Sequence, residues 1–510
     1  MANGFPITGI SPTDPNPGTV RDLLVAQNTS GTGGGSDDVL IYGNKTSDGS
    51  ESTNTIGTPI LDLADCIARF GKKSETTWEY RAFAAIPQQA TVYAVAVPES
   101  GSGTAASIVW TIATTATGST NLVVEWGGYQ LFVPVASGDT PTTQAAAVVA
   151  AVVDWEEGAM PFTASNSSGA ITFESSNLGP RADLVISRIR MYYQKSVAST
   201  VGAGSLTSGT NDDDFTTAYA AAANSVYAYQ INPKHTTSLP SATDNGVGEG
   251  AAYITTQVAP VNGKEQQMFF GLVGTSSQAV TVATTVNNAW CQFFWAENSP
   301  WTPGMIAAHW CAIVRAAQIV HPCANLTGYT AGDNRICLHP RPYSTDDYPT
   351  ATELTTALNN GISPIKFDRL GKAVLHRQVT SRSLNGSSND YRCREGHIPN
   401  GLRFFWQEVA RRWEAMKQPF VTDDWAEGQK PVPGFTTPGA VKAMVQDTMR
   451  DMVKPFIGNS AVLDPGSLNA MLSSVEALKI NGGVSVKANP IVVMHLLKGQ
   501  FQIDESSPAY

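Results

Sequence analysis

The sequence predicts a multidomain α+β protein, on three observations. A chain of 510 residues with 42% hydrophobic content holds more apolar side chain than one ordinary core takes up, which points to two to four domains. The local grammar changes along the chain, from strand-helix-strand, through a Thr/Ala/Gly/Val-rich run of short strands, back to α/β alternation, and then to helices. Both ends carry β-prone segments set among Pro and Gly, which read as extended arms.

The elements follow in order. Residues 1–38 combine Pro6, Pro12, Pro15 and Pro17 with a short apolar strand, Val20 to Ala26, and a Gly31 to Gly35 spacer, an N-terminal arm with no core of its own. Val39 to Tyr42 is a buried strand ended by Gly43, Pro59 to Phe70 has helical spacing, and Thr91 to Val97 is a strand. Residues 99–197 form a β-rich unit with strands at Ser107 to Ala113, Leu122 to Trp126, Tyr129 to Val135, Ala170 to Glu174 and Asp183 to Tyr193. Gly127-Gly128 is its tight hairpin turn, and Thr142 to Val153 is an Ala/Val helix behind Thr140-Pro141.

Residues 198–349 return to α/β order. Asp213-Asp214 caps a helix from Phe215 to Asn224, strands follow at Val226 to Ile231, Met268 to Gly274 and Ala289 to Trp295, and a deeply buried helix runs from Gly304 to about Ile319. From His321-Pro322 to Pro349 the chain reads as irregular. Beyond residue 350, helices carry Leu402 to Met416, Val441 to Val453 behind Thr437-Pro438, and Leu468 to Leu478 behind Asp464-Pro465, the last one stopped by Asn481-Gly482-Gly483. Residues 484–510 are a C-terminal strand arm.

Charged residues make up only 15% of the chain, so much of its surface is neutral and suited to contact between subunits. The net charge of -10 argues against non-specific nucleic-acid binding. Residues 365–417 reverse that sign, with 11 Lys/Arg against 5 Asp/Glu, which is either a solvated basic face or an attachment surface for an acidic partner. Neither a signal sequence nor an apolar run of membrane-spanning length is read, so folding in a cytoplasm is expected, without direct membrane insertion.

No catalytic or cofactor-binding pattern emerges. Gly31 to Gly35 lacks the Gly-Lys-Ser/Thr close of a phosphate loop, and neither a Gly-x-Ser-x-Gly elbow nor a His-Glu-x-x-His helix occurs. His309, Cys311, His321, Cys323, Cys337 and His339 lie within about thirty residues. Their spacing departs from structural zinc sites, so no metal is expected. Buried reduced thiols, or disulfides formed in an oxidising exterior, both fit the six cysteines. Cys323 and Cys393, in loop-like surroundings, are candidates for a bond between subunits.

The most informative stretch runs from Leu358 to Ile398. Ile362, Ile365 and Phe367 precede an Asp368-Arg369-Leu370-Gly371 turn, and Ala373, Leu375 and Val379 follow it, as in a β-hairpin. Asn360-Gly361-Ile362, the strand Ala373 to Arg377 running into Thr380-Ser381-Arg382, then Asp390-Tyr391-Arg392 and Gly396-His397-Ile398 before a helix, resemble in this order the C-terminal region of contractile tail sheath proteins of Mu-like bacteriophages. A looser similarity extends through most of the chain, and the β-rich unit is similar to the insertion domain of those sheaths.

The resemblance implies a structural protein, not an enzyme, with no cofactor. It implies a virion component assembled in the host cytoplasm as stacked hexameric rings around a tail tube, contracting to drive that tube through the host envelope. Implied partners are other copies, the tube protein, and baseplate and tail terminator proteins. It also implies a discontinuous core assembly domain from residues 39–98 and 350–483, with the α/β unit 198–349 and the inserted unit 99–197 outside it. Terminal strands would enter neighbouring subunits, with Val20, Leu23, Leu24, Val25, Val484, Val486, Ile491, Val493, Phe501 and Ile503 at the interfaces. Tube contact would fall to Arg411, Arg412 or Lys479.

A β-rich carbohydrate- or receptor-binding phage protein is the alternative, since Trp110, Trp126 and Tyr129 could stack on sugars from a sheet face. A hydrolase with scattered catalytic groups is a third class.

Overall fold

The structure is a computed structural model and describes residues 37–155, 159–195, 197, 199–211, 213–234, 247–259, 264–330, 342, 344–368, 372–386, 388–390, 393–416, 420–424, 432, 434–454, 461–480, 483–492 and 495–498. It is a mixed α+β fold with several sheets.

A nine-stranded sheet forms its centre, in the order Val92–Val97, Val39–Asn44, Tyr229–Asn232, Gln267–Leu272, Cys291–Trp295, Ser363–Phe367, Ala373–Arg377, Ala324–Thr330 and His495–Lys498. The first six strands are parallel, with Ile41 set between Ala94 and Ile231. Parallel strands covered on both faces read as unbroken apolar runs, which is why Val39–Asn44 was legible. Alternate residues face opposite layers. Leu40, Tyr42, Met268, Phe270, Phe293 and Trp295 meet the helices Thr216–Ala222, Val247–Gln257 and Ser276–Val286. Val39, Ile41, Ile231, Phe269 and Phe294 meet the helix Pro303–Val320 on the other side.

Strands from the segments 39–98, 198–349 and 350–377 all share this sheet. Their pairing is through the main chain, and main-chain pairing leaves no side-chain pattern that tells one neighbour from another.

Residues 105–207 fold as two antiparallel sheets. Four strands run in the order Phe162–Ser167, Ala170–Leu178, Ala105–Thr111 and Ser205–Thr207, and three in the order Tyr129–Val135, Thr120–Trp126 and Arg190–Tyr193. Gly127 and Gly128 have φ of 59° and 87°, the positive pair that a two-residue type I′ turn demands between Trp126 and Tyr129. The expected strand Asp183 to Tyr193 is instead a helix, Ala182–Ile186, followed by the strand Arg190–Tyr193. A short apolar run such as Leu184-Val185-Ile186 fits either period, and here Pro180 precedes a helical turn.

The helices Ile398–Ala415, Pro438–Met452 and Leu468–Ser474 enclose a further core of Phe405, Val409, Val445, Met449 and Met471. The third helix ends at Ser474, short of the expected Leu478, because Glu476–Ile480 pairs antiparallel with Gly483–Lys487. Asn481-Gly482, read as a helix stop, serves equally as a hairpin signal. The run expected to be irregular after Pro322 holds the strand Ala324–Thr330. Local periodicity does not pick out the helices Glu75–Ala84, Val247–Gln257, Ser276–Val286 and Ala351–Asn359, although Thr275 with Gln278 and Thr350 with Glu353 form capping boxes.

Candidate functional site

The stretch that carries the family resemblance supplies the sixth and seventh strands of the main sheet, toward the end where the pairing turns antiparallel. Gly361 has φ of 78°, and a Cβ there would stand 2.7 Å from the Ser381 carbonyl oxygen, so Asn360-Gly361 is a glycine-dependent entry to the strand Ser363–Phe367. Ser363 Oγ donates to the Val379 carbonyl and accepts from the Val379 N–H, locking the two arms of the hairpin beyond their ladder. Ser381 N–H then donates to Cys291 O, and Thr380 N–H to Arg394 O.

Buried polar groups tie this end together. Arg377 Nη2 lies 2.6 Å from Glu395 Oε1, and Asn325 Nδ2 donates to the other carboxylate oxygen at 2.8 Å. Gln378 Nε2 donates to Gln292 Oε1, whose own Nε2 donates to Gln267 and to the Gly396 carbonyl. A chain of buried amides fixes register because each member lost leaves another unsatisfied. On this frame the last described strand, His495–Lys498, adds in parallel to Ala324–Thr330 at the sheet's edge.

The expected site residues fall into distinct places. Val20, Leu23, Leu24, Val25, Val493, Phe501 and Ile503 lie outside the described residues. Val484 and Val486 are on the intrachain hairpin, opposite Lys479 and Ala477, and Val486 packs on the third core. Ile491 is exposed, and its carbonyl accepts from Asp464 N–H. Arg411 and Arg412 both pair with Glu408, and Arg412 reaches across to Asp451 at 2.8 Å. Lys479 stands 3.4 Å from Asp423. Much of the basic charge of this region is therefore matched within the chain.

Cys323 and Cys393 are not bonded to each other, and Cys323 is fully buried with its thiol donating to Val462 O. His309 is buried between Trp301 and Trp310, with Nδ1 3.3 Å from Ala82 O, and burial lowers its pKa to about 4. His321 Nδ1 accepts from Cys323 N–H. Cys337 and His339 lie outside the described residues. Among the described residues no group of three or more His, Cys, Asp or Glu could hold a metal ion. No helix among them is long and apolar enough to cross a membrane.

The aromatic residues weighed for sugar stacking are used in packing. Trp126 is 1% exposed, meets Trp78 edge-on at 5.0 Å, and donates from Nε1 to Val185 O. Tyr129 packs against Trp78 and Trp155, and Trp110 lies against the same core.

An ionic clasp that no local sequence pattern signals stands where the inserted unit joins the main sheet. Arg181 Nη1 pairs with Glu75 at 2.6 Å and Nη2 with Asp213 at 2.6 Å, while Asn44 Oδ1 accepts from Nη2. Of Asp213-Asp214, expected to cap the next helix, Asp213 is fully buried in the clasp and Asp214 accepts from Thr216 N–H, while the N-cap position itself is Phe215. Lys234 Nζ donates to the Asp213 carbonyl and lies over the Phe215 ring.

No protein-family model matches the chain, and no curated protein matches it. Among solved structures it is similar to a sheath tail protein from Listeria innocua, with a TM-score of 0.42 and 11% identity over 91% of this chain and 97% of that one. It is likewise similar to a sheath tail protein from Desulfitobacterium hafniense, with a TM-score of 0.43 and 11% identity over 90% and 96% of the two chains. At these values the likeness assigns neither a family nor a function.

Proposed function

We propose that this chain is a structural subunit of a contractile phage tail sheath, polymerising as helically stacked hexameric rings around a tail tube and shortening to drive the tube through a host envelope. The observation that carries the proposal is the Leu358 to Ile398 segment, in which the motifs resembling Mu-like sheaths occur in order. Its folding supports the same role, because its strand Ala373–Arg377 pairs with Ala324–Thr330, the strand to which the chain's last described strand is added.

A strand held at an edge by main-chain bonds can be supplied by its own chain or by a second copy, since the slot recognises backbone. A cylinder linked in that way keeps its connections while other contacts change. The low charge content leaves neutral surface whose burial on shortening would contribute roughly 25 cal/mol per Å² of apolar area in each copy.

Negative-stain microscopy of the purified protein tests the role: hollow cylinders are expected, and dispersed single particles under all assembly conditions would overturn it. Deleting residues 489–510 spares the hairpin that ends at Lys487. The truncated chain is expected to stay soluble and fail to polymerise, whereas normal cylinders from it would exclude the terminal strand as a link.

A further inference from the structure

Glu79 lies one helical turn beyond Glu75 on the helix Glu75–Ala84, so the two carboxyl groups share a face. They are treated very differently. Glu75 holds both of its oxygens 2.6 Å from Arg181 Nη1 and also accepts from the Asn44 N–H. Glu79 is wholly buried, and among the described residues neither of its oxygens finds a hydrogen-bond donor. A buried acid without a donor is costly, and such a group needs a reason to be there.

The surroundings supply one. Glu79 feels Glu75 and Arg181 electrostatically, and burial, more than Glu75, holds its carboxyl well above the usual range while Arg181 opposes that shift. A cavity of about 30 Å³ lies beside the guanidinium, lined by Glu75, Trp78, Arg181 and Pro303 among others. Gly304 leaves the space that Glu79 occupies, since a Cβ there would stand 2.0 Å from its Oε1. The other charged groups at the junction are engaged. Asp213 accepts from Arg181 and from Ser100 N–H, Glu99 accepts from Asn177 and Leu178 N–H, and Lys234 donates to Asp213 O.

We infer that this helix carries two alternative seats for Arg181, with Glu75 occupied and Glu79 vacant, so that the clasp fixing the inserted unit can re-form one turn along. A turn is about 5.4 Å. Arg181 lies between the strand Ala170–Leu178 and the helix Ala182–Ile186 of the inserted unit, so moving its guanidinium carries the docking edge of that unit with it. The second position offers the Nη1 side of the guanidinium another carboxyl group when Glu75 is released, so that side of a buried cation is not left unanswered. Discrete alternative arrangements of one side chain along a helix are a recognised form of switching element. The inference concerns the chain itself and does not depend on its assembling into a sheath.

The test is the structure of the full-length Glu75→Gln variant. Arg181 is expected within 4 Å of Glu79, and a Glu79 carboxyl still without a donor in that variant would overturn the inference. A stability cycle covers the case of poor crystals or poor folding. Glu79→Gln alone should leave the unfolding midpoint unchanged or higher, and Glu75→Gln should lower it. The double variant should fall further than the two single shifts added, and additive shifts would overturn the second seat. Infrared difference spectra of wild type against Glu79→Gln provide a readout on the native protein. A protonated-acid carbonyl band lost in the variant is expected at neutral pH, and its absence from wild type would mean that Glu79 is already ionised and paired.

Discussion

Arg377 and Glu395 are joined by two hydrogen bonds, Nη2 to Oε1 at 2.6 Å and Nε to Oε2 at 3.0 Å, and this paired fork holds the hairpin strand Ala373–Arg377 to the chain that leads into the helix Ile398–Ala415. The Glu395 side chain is only 7% exposed, so its partner is not readily replaced by water.

Removing the cation should leave that carboxylate buried with its charge unpaired and the Asn325 amide still donating to it. Arg377→Ala is expected to cost about 3 kcal/mol in urea unfolding, and Arg377→Lys more than half as much, since an ammonium cannot reproduce the two-pronged contact. A loss below ~0.5 kcal/mol would mean that the pair behaves as a surface ion pair.

His309 should make stability fall on mild acidification. Its folded pKa of about 4 lies below the unfolded value of about 6.5, so the unfolded chain takes up a proton that the folded chain refuses. The contribution is complete above about pH 6.5 and is lost progressively down to about pH 4, with a total near 3 kcal/mol. Denaturant midpoints measured across that interval should slope downward toward acid, and His309→Gln should flatten the slope.

Four thiols should be silent in the folded protein. Cys66, Cys291, Cys311 and Cys323 are buried, and burial pushes all four thiols up, that of Cys66 to about 12. A chromogenic disulfide reagent should leave these four unmodified until denaturant is added, because the thiolate is the reacting species. Mapping of the labelled peptides checks this, and rapid native modification at Cys323 would contradict its burial.

Gly271 should tolerate no side chain. A Cβ there would lie 2.0 Å from the Pro303 carbonyl oxygen, which is helix backbone and cannot swing aside. Gly271→Ala is expected to cost about 3 kcal/mol or to prevent folding, whereas Gly101→Ala, with nothing within 4 Å, should be near neutral. Thermal unfolding of the two variants side by side makes the comparison.

By itself the sequence determined what short-range physics controls. Val39 to Tyr42 is too apolar to lie anywhere but between two layers, Gly127-Gly128 permits a turn few other pairs allow, and Thr302-Pro303 and Thr437-Pro438 start helices where each threonine hydroxyl accepts the expected amide. Only the tertiary structure decided which backbones pair and where isolated charges go. Glu476–Ile480 became a strand because another strand was available to it, Ala324–Thr330 gained its order from two neighbours, and Arg181 met Glu75 and Asp213 from 106 and 32 residues away. Local periodicity records the face a residue presents, whereas main-chain pairing and buried charge depend on partners that only the folded chain brings within reach.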